Sequence, residues 1–77
     1  MIHFPQYRKL DGFHRYYQII DDRTFIEIAL LNGKQLVNRI EAKQFPEMLR
    51  IKDMLNLEGN YSIMQQDEID LYFNLSE

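Results

Sequence analysis

Chemistry in this 77-residue chain would have to come from a short supply of reactive side chains. There is no Cys, and the hydroxyl residues other than Tyr are Thr24, Ser62 and Ser76. None of them sits in a Gly-x-Ser-x-Gly turn, and no His lies near Ser62 or Ser76 in sequence. Nucleophilic catalysis needs a nucleophile, a base and a group that orients the base, so hydrolase chemistry is not expected. A metal site would have to draw on His3 and His14, with Asp11 as a third ligand. Zinc wants three or four ligands at a set spacing, and these residues do not supply it. No metal and no cofactor are expected.

The carboxylates fall into Asp21-Asp22 and Asp67-Glu68-Asp70. Paired carboxylates perform acid–base work when they face one cleft. Local structure already accounts for both groups. Asp in a turn hydrogen-bonds its own backbone, and acids in a first helical turn face the positive end of the helix dipole. Gly12, Gly33 and Gly59 stand apart from one another, so no phosphate-cradling glycine loop is present.

Two clusters have binding potential. The first is Tyr7, Arg8, Lys9, His14, Arg15, Tyr16 and Tyr17. Cations interleaved with aromatics on a ribbon are what a single-stranded nucleic-acid platform uses, the rings to stack on bases and the cations to neutralise phosphates. Ordinary cross-strand packing explains the same rings, and three cations in an acidic protein make a thin electrostatic footprint. The second cluster is Tyr61, Ile63, Met64, Ile69, Leu71, Tyr72, Phe73 and Leu75. It is core material, or an interface, where aromatics and Met are enriched.

The elements that must position these residues are organised around Thr24 to Lys43. Asn32-Gly33 separates two apolar, branch-rich runs there, the strongest short-range hairpin signal. Both central residues of a type I′ turn need positive φ, which Gly supplies freely and Asn tolerates. We expect a central antiparallel ribbon on which everything else packs. With that loop, Ile26, Ile28 and Leu30 share a face with Arg39, Val37 and Gln35. Phe25, Glu27, Ala29 and Leu31 share the other with Ile40, Asn38, Leu36 and Lys34. Neither face is cleanly polar, so both should be partly covered, by helices or by a second subunit.

Asp11-Gly12 predicts a second type I′-like hairpin upstream, with Leu10 opposite Phe13, Arg8 opposite Arg15 and Tyr7 opposite Tyr16. The two hairpins make a four-stranded meander. Pro46 and Glu47 suit the first turn of a helix, Met48, Ile51 and Leu55 form its stripe, and Gly59 is placed as its C-cap. A short fifth strand is expected near Tyr61. A C-terminal helix from about Asp67 follows, with Ile69, Tyr72 and Phe73 as its stripe. The fold class is α+β, one domain over residues 1–77.

Net charge is −3, unevenly spread: residues 1–20 are mildly basic and residues 41–77 carry eight acids against three bases. A hydrophobic fraction of 45% fits a globular chain. No stretch approaches a membrane span, and the N-terminus does not read as a signal peptide. The expectation is a cytoplasmic protein with no membrane partner.

Tyr7-Arg8-Lys9, Tyr17-Gln18-Ile19, Phe25-Ile26-Glu27-Ile28, Glu41-Ala42-Lys43, Pro46 and Ile51-Lys52-Asp53-Met54-Leu55 together resemble a group of short bacterial proteins. They are of about this length and come mostly from Bacteroidetes. The resemblance implies a bacterial or phage cytoplasmic origin and no catalytic residues.

The leading functional expectation is a small non-enzymatic protein-interaction module that associates with itself as a dimer or with another protein. Its interface would use Ile26, Ile28, Leu30, Val37, Leu71, Tyr72 and Leu75. One alternative is a nucleic-acid-binding module using Tyr7, Arg8, Lys9, Arg15, Tyr16 and Tyr17. Another is a phage-type inhibitor presenting its acidic C-terminal half to a basic partner.

Overall fold

A computed structural model describes residues 3–73. Five strands and two helices follow in order: β1 Gln6–Leu10, β2 Arg15–Ile19, β3 Thr24–Leu31, β4 Lys34–Glu41, α1 Phe45–Leu55, β5 Tyr61–Ile63 and α2 Gln66–Phe73. The strands form one antiparallel sheet in the order β4-β3-β2-β1-β5. The fold is α+β, with the four-stranded meander extended by β5 alongside β1.

Asn32 and Gly33 have φ values of 53° and 77°, the sign pair of a type I′ turn. Leu31 pairs with Lys34 and Thr24 with Glu41, which is the register the two-residue loop demands. The ribbon is not central, however. β2 lies in the middle of the sheet, and β4 is an edge strand.

The upstream hairpin differs from the two-residue reading. Leu10 pairs with Arg15, Lys9 with Tyr16, Arg8 with Tyr17 and Tyr7 with Gln18. The loop is therefore Asp11–His14, two residues wider than Asp-Gly alone. The Phe13 N–H donates to the Leu10 carbonyl at 3.1 Å, and Gly12 has φ 83° while Asp11 keeps negative φ. That sign pattern belongs to a type II turn. The wider loop separates Arg8 from Arg15, whose facing charges would repel. On the other side of β2, Ile19 lies opposite Phe25 of β3, and both are fully buried.

Strand alternation sorts the side chains into two layers. Tyr17, Ile19, Phe25 and Ala42 form one core with Ile51 and Met54 of α1, with Leu10, Ile40, Met48, Leu55 and Tyr61 packed around it. The other face receives α2: Tyr7 meets Phe73 at 5.4 Å between ring centroids, and Tyr16 stacks on Tyr72 at 3.9 Å. The helices account for only part of the ribbon's mixed polarity: the core under α1 takes Phe25 and Ile40, while Leu31, Leu36 and Val37 stay exposed.

α1 begins one residue before Pro46. Glu47 reaches back to accept from the Lys43 and Gln44 N–H groups at 2.9 and 3.2 Å. Its far end is capped by Asn56 and not by Gly59. Leu57, at φ 57°, is the left-handed residue, and the Glu58 N–H donates to the Asp53 carbonyl at 2.9 Å. This is a Schellman closure with Leu where Gly is usual. In α2, Glu68 accepts from the Gln65 N–H at 3.0 Å, the same back-reaching cap. Among the described residues no helix is long and apolar enough to cross a membrane.

Candidate protein-interaction surface

The basic–aromatic cluster is divided by the sheet. Tyr7, Lys9 and Tyr16 stand on the α2 face; Arg8, Arg15 and Tyr17 stand on the α1 face. His14 is exposed, and the other members are engaged within the protein. Arg8 is buried, its Nε donating to the Met54 carbonyl at 2.9 Å and its Nη1 to the Tyr7 carbonyl at 2.8 Å. Lys9 pairs with Glu68 at 3.0 Å. Tyr17 is buried, and its hydroxyl donates to Glu27 Oε2 at 2.9 Å. Arg50 Nη2 lies 3.5 Å from that carboxylate, and Arg15 Nη1 lies 3.8 Å away. Burial first, then the Glu27 hydrogen bond, hold the Tyr17 phenol far above its ordinary value. Tyr16 is pushed up to about 12, chiefly by hydrogen bonding with Tyr72 and then by burial. The rings that sequence reading offered to nucleic-acid bases are stacked on the protein itself.

The acidic residues are spent locally too. Asp67 Oδ1 accepts from the Glu68 N–H at 3.0 Å, and Asp70 accepts from Gln66 Nε2 at 2.9 Å. The Glu68 carboxyl is held below its usual range by the Gln65 N–H first and Lys9 second. Asp11 accepts from the Ser62 hydroxyl at 2.8 Å. Among the described residues there is no group of three or more His, Cys, Asp or Glu fit to hold a metal.

Of the residues expected at an interface, Ile26, Ile28, Leu30 and Val37 stand on the α2 face of the sheet, and Leu71 and Tyr72 belong to α2 itself. Ile28 is buried, while Ile26 and Leu30 are half-buried. Tyr72 is half-buried through its stack on Tyr16. Val37 and Leu71 remain open, at 61% and 69% exposure. Leu75 lies outside the described residues.

Sequence reading missed the most open element of the fold, which is β4 as an edge. Every residue of β4 except Ile40 is exposed. Backbone direction follows from the turn. The Ala42 N–H donates to the Arg23 carbonyl and the Leu30 N–H to the His14 carbonyl. Odd-numbered residues of β3 therefore point their backbone groups at β4, and even-numbered ones at β2. In β4, residues 34, 36, 38 and 40 bond inward. Gln35, Val37, Arg39 and Glu41 aim both N–H and C=O out of the sheet, and no described strand meets them. Leu36, at 46% exposure, flanks this edge on the α1 face, and Val37 flanks it on the other. The edge contains no Pro and no Gly, and its pairing with β3 runs without a bulge. β5, at the opposite edge, has only three residues. The length of the run after Asn32-Gly33 was readable in the sequence; that the strand near Tyr61 pairs with β1 and leaves β4 at the edge was not.

Comparison with family models, with curated proteins and with solved structures found no match.

Proposed function

We propose that this protein is a small, non-enzymatic protein-interaction module that binds by adding a strand to the open edge of β4. One observation carries this reading: Gln35, Val37, Arg39 and Glu41 direct a row of backbone donors and acceptors outward along an eight-residue edge. Such a row is a template for an extended segment. In this recognition mode backbone hydrogen bonds give affinity, and side chains alternating across the edge give selectivity. Leu36 and Val37 offer the apolar contacts, one on each face. The buried polar networks support the same reading. They engage Arg8, Lys9 and Tyr17, which a nucleic-acid platform on the first hairpin would need to have free.

Selection of short extended peptides against the immobilised protein tests this. Bound peptides should slow amide exchange at Gln35, Val37 and Arg39. Val37→Pro should abolish binding while leaving the fold intact, since the Val37 N–H is not used by β3. Peptides that bind Val37→Pro equally well, with no protection along β4, would overturn the proposal.

A further inference from the structure

We infer that the strand received by β4 is β4 of a second copy, paired antiparallel about a two-fold axis through Asn38. This inference rests on the reading of β4 as the binding edge and specifies its occupant. The strand's own sequence fits this partner: a register exists in which its outward odd-numbered residues pair with one another and the exposed Leu36 gains an apolar partner in Ile40 of the other copy. A symmetric antiparallel ladder joins outward residue to outward residue, so the paired numbers must add to an even total.

Among such registers, the one centred on Asn38 uses the edge most fully. It sets Gln35 of one copy opposite Glu41 of the other, and Val37 opposite Arg39, with both pairs repeated by symmetry. All four outward residues are then paired. On the α1 face, Leu36 of each copy lies opposite Ile40 of the other, giving two apolar cross-strand pairs. The two Asn38 amides meet at the axis, where each can donate to the other. Centring on Val37 instead sets Glu41 against Gly33 in the turn and Leu36 against Asn38. Centring on Arg39 sets two guanidinium groups face to face, which repels. The edge is open to approach: α2 lies over β1 and β2, and α1, although its core contacts reach Phe25 and Ile40, leaves every β4 residue but Ile40 exposed. The product is a continuous ten-stranded sheet, two copies of the five-stranded one.

The chain has no Cys, so engineered thiols report register without background. Asn38 would occupy a non-hydrogen-bonded pair, where Cα atoms approach to about 4.5 Å, within disulfide range. Val37 would face its own copy only diagonally, about 7–8 Å away and out of range. We expect sedimentation to give twice the chain mass, and Asn38→Cys to oxidise to a linked dimer while Val37→Cys stays mostly unlinked. Val37→Pro should return the mass to that of one chain with circular dichroism unchanged. Should Val37→Pro fail to fold, Leu36→Lys serves, placing a charge against Ile40 of the other copy from an exposed position.

A single-chain mass at millimolar concentration overturns the second copy as occupant; peptide capture by β4 then decides the edge reading separately. A dimer broken by Val37→Pro but linked through Val37→Cys overturns the Asn38 register and leaves the edge standing. A dimer indifferent to both Val37→Pro and Leu36→Lys forms through another surface and overturns the inference; peptide capture by β4 again decides the edge reading separately.

Discussion

The Arg8 guanidinium is buried beneath the carbonyl end of α1, its Nε donating to the Met54 carbonyl oxygen at 2.9 Å. No carboxylate neutralises it among the described residues. The negative end of the helix dipole and the Tyr7 carbonyl stand in for one. Burial draws this guanidinium below its ordinary value, although an arginine stays protonated throughout the accessible range. The contact ties the first strand to the end of the first helix.

Arg8→Ala should therefore destabilise the fold by about 2–3 kcal/mol, the size of a charged hydrogen bond plus lost packing. In a domain this small, each kcal/mol moves Tm by about 4–8 °C. Arg8→Met keeps most of the aliphatic volume and should lose less. Thermal melts of the two variants separate packing from charge: equal losses would assign the whole effect to the cation.

Leu57 holds a left-handed conformation that costs a non-glycine residue about 1–2 kcal/mol. Its side chain is 43% exposed, so little packing is at stake. Leu57→Gly should raise stability by about 0.5–1 kcal/mol, after allowing for the greater freedom of Gly in the unfolded chain. Chemical denaturation with an unchanged m-value would check this, and a lower midpoint would refute it.

Alkaline sensitivity should come from two of the five tyrosines. Tyr17 and Tyr16 both have folded values above the ordinary 10.0. A raised folded value means that their contribution is complete below about pH 10 and is lost as pH climbs toward the folded values. Absorbance of the phenolate should show these two ionising late, together with loss of ellipticity. Tyr17→Phe should move the alkaline midpoint upward.

Acid sensitivity is assigned to Glu68. Its folded value lies below the ordinary 4.5, so its contribution is present above that pH and is lost as pH falls through the folded value. The group is partly exposed and its pair with Lys9 is screened by salt, so the effect should be modest. Glu68→Gln should flatten the acid limb of stability against pH and leave the neutral plateau slightly lower. An acid limb unchanged in Glu68→Gln would reassign it to other carboxylates.

The elements were legible because each has a local cause. Asn32-Gly33 dictates its turn through positive φ at both central residues, and the β3–β4 register follows without any knowledge of the rest. Pro46 with Glu47, and the acids of the last helix, likewise set helix starts through backbone groups only a few residues away. The α1 end was misplaced because Leu57, not Gly59, is the left-handed residue that closes the helix, and such a position is usually left to Gly.

What the sequence by itself determined was the α+β class, the tight hairpin and the sheet-facing stripes of both helices, all consequences of short-range geometry. Tertiary structure decided the rest. It widened the first loop so that Arg8 faces Tyr17, turned the cation–aromatic cluster into core and ion pairs, and set β4 at an edge. The physical reason is distance. Which strand lies outermost, and which charges find partners, depends on contacts such as Arg8 with Met54, 46 residues apart in the chain.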